Sequence, residues 1–406
     1  MESPSYQLSQ QQLKIEKLVY GGEGLSRGPE GVVLVPFTLG GETVQANVGA
    51  QEKGVLRGTL LSVDEASPDR VPAACEYFTH CGGCHYQQGS YEGQLAAKCA
   101  ILEETLLRFA KITAHAPIET ISGEPWGYRN RIQLHFENGR MGYRAARSRS
   151  LIEIDHCPIS SPKLNECIKI LASMVKNTRW PRFLRTVELF TDEASVQLNV
   201  VESEKPVAKR FFEWCAEEIP ALEMGPLNYR GFQVSKGSFF QVNRFLIERL
   251  VKEVTGDSDS GNGTAVDLYA GVGLFSLPLA QRFRRVIAVE SGSGAIRDLE
   301  ANAGRIQQTV EAAQTSVDQF LESYTEPTDL VVADPPRAGL GKLAVKRLIA
   351  LKPRRMVLVA CDPATMARDL APILGSGYAL EKLVMVDLFP QTYHIETVAK
   401  LVLAGG

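Results

Sequence analysis

From Gln12 to about Val63 the apolar positions alternate with polar ones in short runs punctuated by glycine, as in VVLVPF and TVQANV. Period-two alternation broken at glycines predicts strands, and several short strands in succession predict a small OB-like β-barrel over residues 1–63, with residues 1–12 a flexible tail. Residues 64–86, rich in Pro, Gly and Cys, read as loop. The run SYEGQLAAKCAILEETLLRFAKI then repeats its apolar residues at steps of three and four, which predicts an amphipathic helix. Between 120 and 232 alternating runs (RIQLHFE, TVELFTD, ASVQLNVVE) mix with helical ones (KLNECIKILASMVKN, PVAKRFFEWCAEEI), the pattern of an antiparallel α+β region. With 64–86 it is expected to form a central α+β domain.

After Gln233 the rhythm changes. FFQVNRFLIERLVKEVTG is helical and DSDSGNGT is a polar loop. Short apolar strands (TAVDLY, RVIAVE, DLVVAD, RMVLVAC) then alternate with helical segments. That alternation predicts a doubly wound parallel sheet, so the chain as a whole is expected to be a multidomain α/β protein. The last two apolar runs, ALEKLVMVDLF and HIETVAKLVL, are too close for a crossover helix. The final strand is therefore expected to run antiparallel, at or near the sheet edge.

Composition narrows the picture only a little. The 406 residues carry 44 Lys+Arg against 47 Asp+Glu, and 44% are apolar, an ordinary globular balance. A net charge of -3 excludes a wholly basic nucleic-acid coat but not a local basic groove. No apolar run approaches the roughly 18 residues a membrane helix needs, and the polar start MESPSYQLSQQQ lacks a signal-peptide pattern. A cytoplasmic protein with no membrane partner and no obligate protein partner is expected.

Candidate chemistry begins with the first α/β unit, AVDLYAGVGLFSLPLA. It places Asp267, Gly271 and Gly273 between a strand and a helix, with Ser276 where a third glycine of a dinucleotide fingerprint would stand. Glu290 ends the next strand, placed for ribose hydroxyls. NAD, S-adenosylmethionine and a plain βα turn all fit these residues. Asp334, followed by two prolines, holds a carboxylate at the carboxyl edge of the sheet. Arg337 stands where amino-directed methyltransferases with such a loop carry a stacking aromatic. Cys361 ends the fifth strand on the same edge, a position for a nucleophile, and Glu396 opens the last strand, a position for a general base.

Eight cysteines are too few for a disulfide scaffold. Cys75, Cys81 and Cys84, with the distant Cys157, give four soft ligands. By spacing alone zinc comes first, with His80, His85 and His156 as alternative ligands. From Trp126 to Ser150 six arginines (Arg129, Arg131, Arg140, Arg144, Arg147, Arg149) face a single acid, Glu137, among Trp126, Tyr128, Phe136 and Tyr143. Arginines interleaved with aromatics suit RNA phosphates and bases, so this stretch is expected to track an RNA backbone.

The ordered set of the glycine-rich barrel, Cys75-x5-Cys81-Gly-Gly-Cys84, YRNRIQLHF, SFFQVN, DLYAGVGLFSL, DPPRAGL, ACDPATMARDL and FPQTYHIE resembles the S-adenosylmethionine-dependent RNA uracil-5-methyltransferases. The resemblance is to their branch with an N-terminal TRAM barrel and an iron–sulfur cluster, and it spans nearly the whole chain. It implies a TRAM domain over 1–63 and a central domain of 64–86 and 120–232 carrying the four-Cys cluster. It also implies a Rossmann-like catalytic domain built from 87–119 and 233–406. It makes Cys361 the nucleophile and Glu396 the base. Gln241, Tyr269, Gly271, Gly273, Glu290 and Asp334 then line the cofactor and target-base pocket, and Phe239 packs near the flipped uridine. Arg129, Arg131 and Arg144 are expected to contact RNA. Cys75, Cys81, Cys84 and Cys157 are implied to hold a [4Fe–4S] cluster rather than zinc. The barrel-plus-cluster layout implies 23S rRNA as target, with tRNA second; a non-catalytic RNA-binding protein is the reading from another class. Two departures stand out. Asp362 follows the nucleophile where relatives carry Asn, and would raise the thiol pKa unless it points away. Leu274 takes a position often polar in relatives.

Overall fold

The computed structural model describes residues 9–28, 31–52, 54–112, 118–256, 261–306 and 309–404. The chain divides into two compact units. The first comprises Met1–Leu102, Tyr143–Ile152 and Phe389–His394; the second comprises Glu103–Gly142, Glu153–Leu388 and Ile395–Gly406.

In the first unit, six strands form one sheet in the order Ser9–Lys14, Thr43–Glu52, Val55–Glu65, Gly31–Pro36, Glu23–Gly28, Lys17–Val19. Alternation turns Leu13, Ile15, Val33, Val35, Val44, Ala46 and Val48 to one interior cluster. Gly58 lies within a strand because a Cβ there would stand 2.9 Å from Val35 Cγ2. The expected strands are present, and they begin earlier than expected. Residues 9–12 belong to a strand that pairs from Ser9↔Val48 to Lys14↔Thr43, since their alternation continues into the ladder. Residues 1–8 of that expected tail lie outside the described residues. Wholly buried Glu42 seats the loop that follows: its carboxylate accepts Arg70 Nε at 2.5 Å and Nη2 at 2.8 Å, and the Leu39 N–H at 2.8 Å.

The second unit is built on an eight-stranded sheet. Its strands are β1 (Glu119–Ile121), β2 (Gly261–Leu268), β3 (Phe283–Glu290), β4 (Val310–Gln314), β5 (Leu330–Ala333), β6 (Arg355–Ala360), β7 (Tyr378–Val386) and β8 (Glu396–Leu403). The order is β4-β3-β2-β5-β6-β8-β7-β1. Pairs β2–β3, β3–β4, β2–β5 and β5–β6 are parallel, and β8 runs antiparallel to both β6 and β7. The final strand thus has the expected direction but not the expected place. It is inserted between β6 and β7, and the short β1 pairs in parallel with β7 outside it. All of its first six residues, Glu396–Leu401, are buried, which an exposed edge would not allow. Of the expected polar loop DSDSGNGT, residues 257–260 lie outside the described residues and Gly261–Leu268 is strand.

The expected boundaries of the central and catalytic domains are redrawn. Arg131–Glu137 pairs antiparallel with Leu184–Thr191, which pairs with Val196–Ser203, as the α+β reading required. That sheet belongs to the same unit as the parallel one because the chain is stitched across. The Asn130 N–H donates to the Val242 carbonyl at 3.0 Å, the Asn130 amide to the Gln241 carbonyl at 3.1 Å, and the Arg244 N–H to the Tyr128 carbonyl at 3.0 Å. The helix Tyr91–Ala110 forms as expected, but residues up to Leu102 group with the first unit, not with the catalytic sheet. Among the described residues no helix is long and apolar enough to cross a membrane.

Candidate active site

The turn after β2 is shaped by three residues in the left-handed region: Tyr269 (φ 62°), Gly271 (φ 56°) and Gly273 (φ 95°). Gly273 has a second reason to lack a side chain, because a Cβ would stand 2.6 Å from Leu277 Cδ1 of the following helix, Ser276–Ala280. Tyr269 holds a conformation costly for an aromatic residue, a kind of strain that gathers at functional sites. Ser276, which breaks the glycine fingerprint, has its own task. Its hydroxyl donates to Asp267 Oδ2 at 2.5 Å. Asp267 is completely buried, and its Oδ1 has no partner. Burial pushes its pKa up to about 7; the Ser276 bond opposes this, while the charges of Asp334 and Glu290 add to it.

Glu290, at the end of β3, is fixed by two backbone amides. Oε2 accepts the Gly271 N–H at 3.0 Å and Oε1 the Gly292 N–H at 2.6 Å. Each oxygen keeps a second lone pair, so the carboxylate is oriented and still able to accept from hydroxyls.

The carboxyl ends of β5 and β6 and the start of β8 bring two carboxylates and a thiol together. The register pairs Ala360 with Thr397, so Cys361 lies opposite Glu396. Cys361 is half-buried, and burial, then the Glu396 charge, push its thiol up to about 11; Arg337 opposes and Asp334 adds. Glu396 is 4% exposed, has no hydrogen-bond partner among the described residues, and is raised well above the usual carboxylate range by burial and by Asp334. Asp334 is raised to about 7 by burial and, among the described residues, its carboxylate accepts one long bond, 3.4 Å, from Gln241 Nε2. Asp362, whose carboxylate threatened the thiol, points away. It caps the helix Pro363–Leu374, accepting the Thr365 N–H at 2.9 Å. Leu274 is buried at 8% exposure and packs as an apolar residue.

The segment leading to this edge is held by two residues that the sequence reading missed. Asp298, on the helix Ser293–Ala303, accepts the Ser235 N–H (2.7 Å), the Ser235 hydroxyl (2.6 Å), the Ser238 hydroxyl (2.7 Å) and Gln233 Nε2 (3.1 Å). Asn302, one turn on, accepts the Gln233 N–H at 2.7 Å and donates to the carbonyls of Gln233 and Val272. The outcome is that Phe239, 63% exposed, stands out beside buried Gln241.

One expected RNA contact is overturned. Arg131 is 9% exposed, stacked on Phe190 with its guanidinium carbon 4.2 Å from the ring centroid, paired with Glu188 at 3.2 Å and donating to the Ser238 carbonyl at 2.9 Å. It is a strut of the protein: it shares the strand face of polar Gln133 and His135, and Phe190 and Glu188 of the paired strand cover it. Arg129 is half-buried and donates to the Arg131 carbonyl. Arg144 is half-buried and donates to the Arg149 carbonyl. Arg140, Arg147 and Arg149 are exposed. The stretch is also divided, Arg129, Arg131 and Arg140 belonging to one unit and Arg144, Arg147 and Arg149 to the other.

The thiol donor set has the soft chemistry a metal centre needs. Cys75, Cys81 and Cys84 are half-buried in the first unit, and Cys157 falls in the second. Among the described residues no three His, Cys, Asp or Glu side chains are grouped to hold a metal ion.

A doubly wound sheet, a glycine turn facing an oriented carboxylate, and a cysteine among raised-pKa acids at the carboxyl edge define an α/β protein with a nucleotide-type site beside a cysteine. Residues 222–403 match the model of the tRNA (uracil-5-)-methyltransferase family. An RNA methyltransferase of Aquifex aeolicus, not further characterised, is 33% identical, over 96% of this chain and 97% of its own. The 23S rRNA (uracil(1939)-C(5))-methyltransferase RlmD of Shewanella piezotolerans is 32% identical, over 95% of this chain and 94% of its own. The crystal structure of the Pyrococcus abyssi tRNA (uracil-54, C5)-methyltransferase with S-adenosyl-L-homocysteine superposes with a TM-score of 0.75. It is 26% identical and covers 97% of this chain and 100% of that one. The chain belongs to the RNA uracil-5-methyltransferase family, S-adenosylmethionine-dependent transferases acting on RNA.

Proposed function

We propose that this protein methylates C5 of a uridine in 23S rRNA, with Cys361 as nucleophile and Glu396 as base. The observation that carries the reading is the β6–β8 register, which sets Glu396 opposite Cys361 at the edge where Asp334 also ends its strand. Uracil C5 is a poor nucleophile until a thiolate adds to C6 and spreads charge onto C5 and the C4 oxygen. S-adenosylmethionine, when bound, supplies an electrophilic methyl group. Once C5 carries that methyl, Glu396 takes the C5 proton, the C6–sulfur bond breaks and the Cys361 thiolate is regenerated. A raised carboxylate pKa suits this work, since a buried carboxylate is a stronger base than a solvated one.

In this reading Gly271 and Gly273 let the cofactor approach the backbone, Glu290 accepts from its ribose hydroxyls, and Tyr269, Gln241 and Asp334 line the pocket. The glycine turn is supported by its geometry, as a Cβ at Gly271 would meet nothing within 4 Å. Exposed Phe239 stacks on the target base, which must leave its helix at a cost of a few kcal/mol. The rRNA assignment is supported by the relatives named RlmD at 31% to 32% identity; the tRNA reading is favoured by the Pyrococcus structure. A TRAM barrel and a [4Fe–4S] cluster remain part of the proposal by sequence resemblance alone. Iron and acid-labile sulfide assays on anaerobically purified protein test the cluster, and no step above passes through it.

Mass analysis after mixing with cofactor and 5-fluorouridine RNA tests the chemistry. Fluorine at C5 leaves no proton to abstract, so a Cys361–RNA adduct is expected to persist, and its absence defeats the mechanism. Mapping 5-methyluridine in rRNA and tRNA from cells with and without the protein decides the substrate.

A further inference from the structure

Outside the catalytic edge, the most informative surface is a cleft of about 310 Å³ between the helices Gly341–Leu351 and Pro363–Leu374. It lies at the small end of the roughly 300–1,000 Å³ of small-ligand pockets. Val345, Ile349 and Pro372 line it with aliphatic surface, and Lys342, Lys346 and Arg368 supply its cations. Lys342 and Lys346 are exposed and have no ion-pair partner among the described residues. The one acid in the lining, Asp369, is 5% exposed and already engaged, accepting Arg368 Nε at 3.0 Å and the Leu340 N–H at 2.8 Å. On the neighbouring helix Val317–Ser323, Asp318 and Glu322 are held by Arg347, at 4.0 and 3.1 Å. The cleft therefore combines an aliphatic floor with two uncompensated lysines.

Its wall is tied to the reaction edge. Arg368 Nη2 donates to the Ala338 carbonyl at 2.7 Å, and the Thr365 hydroxyl to the Arg337 carbonyl at 3.3 Å. At Gly339 (φ 76°) a Cβ would stand 2.2 Å from Thr365 Cγ2, so the two segments touch backbone to side chain. The loop held this way starts at Asp334 and carries Arg337, whose charge acts on the Cys361 thiol. Anything bound in the cleft sits in a fixed relation to the nucleophile.

We infer that this cleft is a docking site for the RNA strand flanking the target uridine, with phosphates on Lys342 and Lys346 and a neighbouring nucleoside on the aliphatic floor. A polyanion with apolar base faces complements a cationic rim over aliphatic surface. The inference rests on the RNA methyltransferase reading and names where that enzyme grips its substrate.

The test uses the full chain and a single-stranded RNA bearing the target. In the Lys342→Gln/Lys346→Gln double variant, RNA affinity is expected to fall about tenfold at physiological salt. The slope of log affinity against log salt should shrink by about 1.4, that is ~0.7 per lost phosphate contact. KM for RNA should rise with kcat unchanged, cofactor affinity should stay constant, and Lys→Arg at both positions should restore binding. An unchanged slope overturns the docking site, and so does a fall in kcat at saturating RNA. Intact RNA binding with lost affinity for polyglutamate would mark an acidic-peptide site instead and also overturn it. Adduct formation by the unaltered protein on 5-fluorouridine RNA is scored separately. Its failure defeats the catalytic reading while the salt slopes still judge the cleft.

Discussion

Two groups of buried carboxylates in the same unit are treated in opposite ways. Asp298 accepts four hydrogen bonds and pins the segment before Phe239. Buried Glu396 and half-buried Asp334 have between them, among the described residues, a single 3.4 Å bond from Gln241. A buried carboxylate without partners is costly, and a fold keeps one only where something else will engage it. The first is a structural rivet whose valences are filled; the second pair keeps its valences open, as the proposed chemistry requires. Removing a rivet should change stability, whereas removing an open acid should change rate.

The largest effect that contrast predicts lies at Cys361, the proposed nucleophile beside these acids. Cys361→Ala should lower kcat by about 10⁴-fold or more and abolish the fluorouridine adduct, with the melting temperature nearly unchanged. Glu396→Gln should cost about 10²–10⁴-fold in turnover. It should also accumulate a covalent, already methylated RNA adduct on ordinary substrate, because only the proton removal is blocked. An unmethylated adduct there would remove the base assignment. Asp298→Ala is the converse case. Losing four bonds inside the fold should lower stability by about 3 kcal/mol in denaturant titrations, and any loss of turnover should follow the unfolded fraction.

The smallest effect is a pH dependence at Asp267. Its folded pKa of about 7 lies above the ordinary 3.8, so folding favours the protonated form. The stability this contributes is complete below about pH 4 and disappears as pH rises through about 7. In the ligand-free protein, the melting temperature of the unaltered chain relative to Asp267→Asn should therefore decline between those limits. A difference that stays flat would place the proton elsewhere among the coupled acids.

Much of this was legible from the chain. The strand–turn–helix rhythm after residue 261 located the parallel sheet, and the positions of Cys361 and Glu396 at strand ends followed from short apolar runs ending in polar residues. What local pattern does not encode is partner choice. Nothing in the final run says that β8 inserts between β6 and β7, because any strand buried on both faces reads the same. Arg131 looked like surface because arginine usually is; its burial depends on Phe190 and Glu188, about 60 residues away in sequence but adjacent in the sheet. Asp298 was invisible for the same reason, as its partners lie 60 to 65 residues earlier.

The three residues of β1 carry a practical lesson. Residues 222–403 bear the family's signature, yet the outermost ladder on Tyr378–Val386 comes from Glu119–Ile121. Excised on its own, the signature region would present an unpaired rim of amide and carbonyl groups, an invitation to self-association. Transplanting this reaction onto another RNA-reading scaffold thus means carrying a short tripeptide splint from a remote part of the gene, or designing a replacement for it.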